Sequence, residues 1–231
     1  MTRTPASSFL SSALTVAAAG ALVAAMAGCV ATAPEPASSS TAQGGIRPLG
    51  DGFLGSVTTP TPEATVNPEP GSWAGVVPPA GYRVALITAG ADAATTTLAT
   101  AVTTWAERES VALTVLTAST DDEVEQRIDE AVGMAPDLVV GAGSRIVDVF
   151  TLLTGQHLQQ QFLIIGAELP EPTGNTTAVV WKGASFRGTG LSTADELDPD
   201  AVTPARARDA ITAGVASVLH DLTGIVLRLP S

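Results

Sequence analysis

From Tyr82 onward the chain alternates between short apolar runs and helix-forming stretches, and this pattern restricts its fold more than any other feature. "YRVALITAG" reads as a buried strand ending in Gly90. "VALTVLTA", "PDLVVGAG", "QFLIIGAEL" and "NTTAVVWKG" follow as four further strands. Each run is too short for a helix and rich in Val, Ile, Leu and Thr. Between the first four lie helical segments. Asp92 caps the first, with Leu98, Val102 and Trp105 on one face, although Thr95–Thr97 is poor helix material and predicts an irregular start. The second opens on a Thr120–Glu123 capping box and aligns Val124, Ile128 and Ala131. The third, "SRIVDVFTLLTGQHL", turns Ile146, Phe150 and Leu153 inward.

Strand–helix alternation at this spacing implies parallel strands joined by right-handed crossovers. The expected fold class is α/β, a doubly wound and mainly parallel sheet. "TPARARDAITAGVASVLHDLTG" is the clearest helix, with Thr203 as its cap, Pro204 in its first turn and Gly224 closing it. "IVLRL" follows as a short last strand.

The amino terminus is of another kind. Arg3 is its only charge before an uncharged stretch from Leu10 to Ala27, the layout of an export signal. Met26-Ala27-Gly28-Cys29 ends it and resembles the lipobox of bacterial lipoproteins, with Met where Leu is usual. That resemblance makes residues 1–28 a cleaved signal peptide and Cys29 the acceptor of a diacylglyceryl group. The expected location is the extracytoplasmic face of the cell membrane, held by two acyl chains, which anchor stably where one does not. Residues 29–80, rich in Pro, Ser, Ala and Thr, read as a disordered tether. "PLGDGFLGSV" and "SWAGVV" interrupt it, and docking onto the domain is the alternative for them. Residues 81–231 form the single α/β domain.

Charge excludes some functions. The formal net charge is −12, which disfavours nucleic acid as a partner. One Cys and two His supply no metal-ligand set, and neither a nucleophile elbow nor a P-loop is present. No cofactor and no enzymatic activity are expected. Ligands of open α/β sheets bind beyond the carboxyl ends of the strands. There, Asp92, Ser144 and Glu168 are the candidate ligand-binding residues. Ser144 in "GAGSR" reads either as part of an anion seat or as the N-cap of a tight turn, and the incomplete GxGxxG spacing argues for the turn. Asp92 is likewise accounted for as a cap.

The order lipobox, linker, "YRVALITAG", "PDLVVGAGSRIVDVF", "QFLIIGAEL" and "NTTAVVWKGASFRGTG" resembles the BMP-type (basic membrane protein) substrate-binding lipoproteins of ABC importers. The likeness is patchy over residues 82–190 and includes Asn175, Phe186 and Gly188. It implies a type 1 periplasmic-binding-protein fold, a small-molecule solute, often a nucleoside, and an ABC permease as partner. In place of the family's Phe-Asn pair stands "ADAATTT", with Asp92 as the one acid there, and Gly166-Ala167 replaces its next Asp unless Glu168 serves. Only about forty residues follow Gly190, too few for a second lobe. The expectation is a single lobe with a degenerate ligand site. The alternatives are an envelope scaffold that contacts another protein or pairs as a homodimer, and, last, a small envelope enzyme.

Overall fold

The computed structural model describes residues 46–193 and 197–230. The lipobox, Cys29 and the first part of the tether lie outside these residues. Strand β1 (Thr65–Val66) is short; β2 (Arg83–Ala89), α1 (Ala93–Glu109), β3 (Ala112–Ala118), α2 (Asp121–Gly133) and β4 (Leu138–Ala142) follow. Then come α3 (Val147–Leu153), β5 (Phe162–Ile165), β6 (Thr176–Val180), α4 (Pro204–Leu219) and β7 (Val226–Arg228). The strands form one seven-stranded sheet in the order β1-β7-β6-β5-β4-β2-β3. Every pairing between them is parallel.

Side-chain alternation along the strands splits the core into two layers. Val84, Leu86, Val140, Leu163 and Val179 face α1 and α4. Ala85, Ile87, Val139, Phe162 and Ile164 face α2 and α3. Both faces of the sheet are therefore covered, as a parallel sheet requires. Phe150 reaches the sheet because Gly141 has no side chain: a Cβ there would lie 2.9 Å from the Phe150 ring. The ring meets Phe162 edge-on at 6.0 Å. On the other face Gly214 lets α4 settle on Leu163, 2.6 Å from where a Cβ would stand.

Most helix ends follow the sequence signals. Asp92 accepts from the Thr95 N–H at 2.9 Å, and Thr203 from the Arg206 N–H at 3.3 Å. Thr120 accepts from Glu123, whose carboxylate takes the Ser119 N–H rather than that of Thr120. The Thr run at the start of α1 is regular helix, contrary to expectation. The hydroxyls of Thr97 and Thr100 donate to the carbonyls four residues back, so they do not compete with the helical ladder. The third helical segment divides into a 3-10 turn, Ser144–Ile146, then α3, then a second 3-10 turn, Thr154–Gln156. Helix α4 stops at His220, and Gly224 instead makes the turn into β7 at φ +70°.

The tether expectation needs correction for residues 46–80, which pack on the domain. Thr65–Val66 extends the sheet by pairing with Val226–Leu227. Phe53 and Trp73, from the two apolar interruptions, are buried in the α1–α4 layer, with Leu49, Leu54 and Val76 against it. His220 Nε2 lies 3.0 Å from the Arg47 carbonyl oxygen. Composition suggested a loose chain because Pro and Gly dominate the segment. Its few large apolar side chains are spaced to reach one strip of the core, and burying each is worth about 1.5–3 kcal/mol. Among the described residues no helix is long and apolar enough to cross a membrane.

Candidate functional site

The strand order reverses between β2 and β4, since β2 continues to β3 on one side while β4 leads to β5 on the other. The carboxyl ends of β2 and β4 therefore diverge around a crevice. Gly90–Asp92 leaves β2 and Gly143–Arg145 leaves β4. A cavity of about 260 Å3 occupies this place and is lined by Asp92, Leu98, Ser144, Arg145 and Asp198, among others.

Gly143 has φ +90° and a Cβ there would lie 2.9 Å from Thr95 Oγ1, so the β4 turn can pass close to the start of α1 only without a side chain. Ser144 then begins the 3-10 turn. Gly143 occupies the cap position and no side chain caps it, so Ser144 is not an N-cap. No described residue hydrogen-bonds its hydroxyl. Arg145 lies across Gly90, where a Cβ would come 2.6 Å from Nη1. Its guanidinium makes no hydrogen bond or ion pair with a described residue.

Asp92 keeps the capping role read from the sequence, with Oδ1 on the Thr95 N–H and Oδ2 on the Thr95 hydroxyl, both at 2.9 Å. Burial alone would raise its pKa; the two Thr95 hydrogen bonds and the nearby Arg145 charge outweigh that, and the carboxyl titrates below its usual value. It is ionised at neutral pH. A carboxyl with a depressed folded-state pKa contributes stability above its unfolded pKa of about 3.9, and that contribution is lost as pH falls through the folded value. Asp92→Asn keeps the cap and removes the charge. It should cost less than about 1 kcal/mol at pH 7, because the group is exposed, and the difference from wild type should close as pH falls through the depressed folded-state value. Thermal melts across that range measure it.

The cavity has a partial roof. Of the connection between β6 and α4, residues 181–193 and 197–203 are described, and part of them reaches the strand ends. Trp181 pairs with Ala184, and Ala184 with Leu197, in antiparallel bridges. The Asp198 N–H donates to the Gly183 carbonyl at 2.8 Å, and the Trp181 indole N–H to the Ala201 carbonyl at 2.9 Å. This brings Gly183, Ala184, Leu197, Asp198, Pro199 and Val202 to the cavity wall.

Asp92 and Ser144 thus meet in one cavity, and Glu168 does not join them. Its N–H donates to the Phe186 carbonyl, which carries the chain under the residue 186–188 turn. There the carboxylate, almost wholly buried, pairs with Arg187 Nε at 3.3 Å. Asn175 is structural too: its amide donates to the carbonyls of Thr154, His157 and Gln160 beneath the sheet. Sequence reading assigned no role to Arg145, Gly183 or Asp198. The Arg145 signal is visible only once Gly90 is known to lie beside it.

A second groove of similar size runs between α1 and α4, lined by Thr96, Thr97, Thr100, Trp105, Arg108 and Arg208. Two of its hydroxyls, those of Thr97 and Thr100, are already used by their own helix, so few polar groups converge there. Among the described residues no group of three or more His, Cys, Asp or Glu could hold a metal ion.

No protein-family model matches the chain, and no curated protein matches it. Several solved structures do. A solute-binding protein of an ABC transporter system from Aeropyrum pernix K1 is 18% identical over 44% of this chain and 29% of its own, with TM-score 0.40. A putative lipoprotein (fragment) from Peptoclostridium difficile 630 is 15% identical over 62% of this chain and 99% of its own, TM-score 0.44. A periplasmic ribose ABC transporter protein from Conexibacter woesei DSM 14684 is 15% identical over 66% and 55%, TM-score 0.34. The chain spans less than two thirds of the two transporter proteins. At these scores the likeness says nothing of ligand or partner. The chain's own sheet, seven parallel strands with a core layer on each face, is a doubly wound α/β architecture.

Proposed function

We propose that the chain is a lipid-anchored extracytoplasmic protein whose single lobe holds a small polar solute at its switch point, in the service of an importer. One observation carries this reading: the described part of the chain's own β6–α4 connection supplies one wall of the cavity between the β2 and β4 ends. Two-lobed binding proteins trap ligand by closing one lobe on the other. Here Gly183, Ala184, Leu197, Asp198, Pro199 and Val202 stand where an opposing wall would. The BMP-type resemblance supports a transport role, but the nucleoside it implies is not part of this proposal. Among the described residues no aromatic side chain lines the cavity to stack on a base.

Thermal melts of the protein against panels of nucleosides, sugars and amino acids test the reading. A ligand at a hundredfold excess over Kd should raise Tm by about 5–10 °C. The double substitution Asp92→Ala, Ser144→Ala should abolish the shift. No shift with any class would remove the solute-binding role. The lipid anchor is tested separately: Cys29→Ala should move the protein from the membrane fraction to the soluble one, and an unchanged distribution would refute anchoring at Cys29.

A second reading, an envelope scaffold, is favoured by β3. This edge strand carries no charged side chain over Ala112–Ala118 and leaves Val115 half exposed. Uncovered neutral edges are templates for strand addition. Reproducible crosslinks from β3 in membranes, with no ligand shift, would favour it.

A further inference from the structure

The cavity at the switch point contains charges of both signs. Among the described residues Arg145 supplies the one cation on its wall, and Asp92 and Asp198 supply two carboxylates. The guanidinium is seated over Gly90 and acts on Asp92 only through its charge, with no hydrogen bond or ion pair among the described residues, and no described residue hydrogen-bonds the neighbouring Ser144 hydroxyl. Both aspartates already hold backbone: Asp92 caps α1, and Asp198 Oδ1 accepts from the Asp200 N–H. Each carboxylate retains lone pairs for a further donor. Leu98, Ala184, Leu197 and Val202 make the apolar part of the wall.

Among the described residues that line it, one Arg stands against two Asp, so a simple anion would meet more carboxylates than cations. A simple cation would leave the arginine fork unmatched. A molecule with a carboxylate and an ammonium on neighbouring atoms satisfies both. At about 260 Å3 the cavity lies below the usual size of drug-binding pockets. This suits a compound of around ten heavy atoms.

We infer that the solute is a zwitterionic α-amino acid with a small aliphatic side chain. Its carboxylate lies on Arg145 and the Ser144 hydroxyl, its ammonium toward Asp92 and Asp198, and its side chain against Leu98 and Val202. This inference rests on the solute-binding reading above and narrows its ligand class.

Calorimetric titration of the protein with five probes tests it: L-leucine, isocaproate, isopentylamine, adenosine and ribose. Leucine should bind, and the two singly charged analogues should bind at least about tenfold more weakly, since each loses one charge-assisted contact. Arg145→Met should weaken leucine by at least about tenfold, with Arg145→Lys intermediate because it keeps the charge and loses the fork. Arg145 is exposed, so unchanged melting temperatures would show that both variants remain folded. Binding of adenosine or ribose without leucine would overturn the ligand class while leaving the solute-binding role in place. So would leucine binding that Arg145→Met leaves unaltered. Silence from all five probes and from the wider panels would remove the solute-binding role, and this inference with it.

Discussion

Trp181→Ala should lower the unfolding free energy by about 3–5 kcal/mol, the usual cost of emptying an aromatic site in a core. Trp181 is fully buried at the end of β6 and is among the largest side chains of the interior. Its indole N–H fixes the Ala201 carbonyl, so the substitution also releases the start of α4 from the sheet. That carbonyl keeps a second donor, Arg206 Nη1 at 3.1 Å, so the loss is mainly packing rather than an orphaned acceptor. Trp181→Phe, which keeps most of the ring and loses the hydrogen bond, should therefore recover more than half of the stability. Urea unfolding followed by circular dichroism measures both. An alanine variant within about 1 kcal/mol of wild type would mean that the β6–α4 connection is not held by this side chain.

Gly183→Ala should cost about 2–5 kcal/mol, nearly as much, for a different reason. Gly183 has φ +89°, and a Cβ there would stand 2.6 Å from the Ala201 Cβ and 2.9 Å from the Asp198 Cβ. Neither neighbour has a rotamer that moves a Cβ away. The backbone conformation contributes about 1–2 kcal/mol and the overlap about 1–3 kcal/mol. Gly133→Ala, at the end of α2 with nothing within 4 Å, is the control and should stay within about 1 kcal/mol of wild type. Because Asp198 and Val202 line the cavity, the same variant should weaken any ligand held there. Equal melting of Gly183→Ala and Gly133→Ala would contradict the tight approach described for the roof.

The elements that read most clearly from sequence were those with local causes. Strands β2 to β7 announce themselves by apolar runs, and Asp92, Thr120 and Thr203 cap their helices through bonds three residues away. Residues 46–80 were harder to read because their anchors, Phe53, Trp73 and Val66, are scattered through Pro- and Gly-rich chain. Whether such anchors pay for ordering the segment depends on a core strip formed by α4 and β7, more than a hundred residues later. The site divides in the same way. Asp92 and Ser144 could be placed together because strand ends are where ligands of α/β sheets sit. Glu168 lies apart from that cavity, just after the bridge between Ala167 and Val179, which no periodicity reveals. Arg145 and Asp198 depend on approaches across the sheet end, Arg145 over Gly90 and Asp198 against Gly183. Glycines mark both places, but a glycine in a sequence does not say what it makes room for.

In the proposed site ligand sits where β2 and β4 diverge, against Gly183, Ala184 and Asp198. Mapping of backbone amide chemical shifts during titration with L-leucine, or with whichever panel member raises Tm, locates the site directly. The largest shifts should fall in Gly90–Thr95, Gly143–Arg145 and Gly183–Ala184, with β3 and the α1–α4 groove little changed. Saturable shifts concentrated instead in Ala112–Ala118, or around Thr97, Trp105 and Arg208, would contradict it.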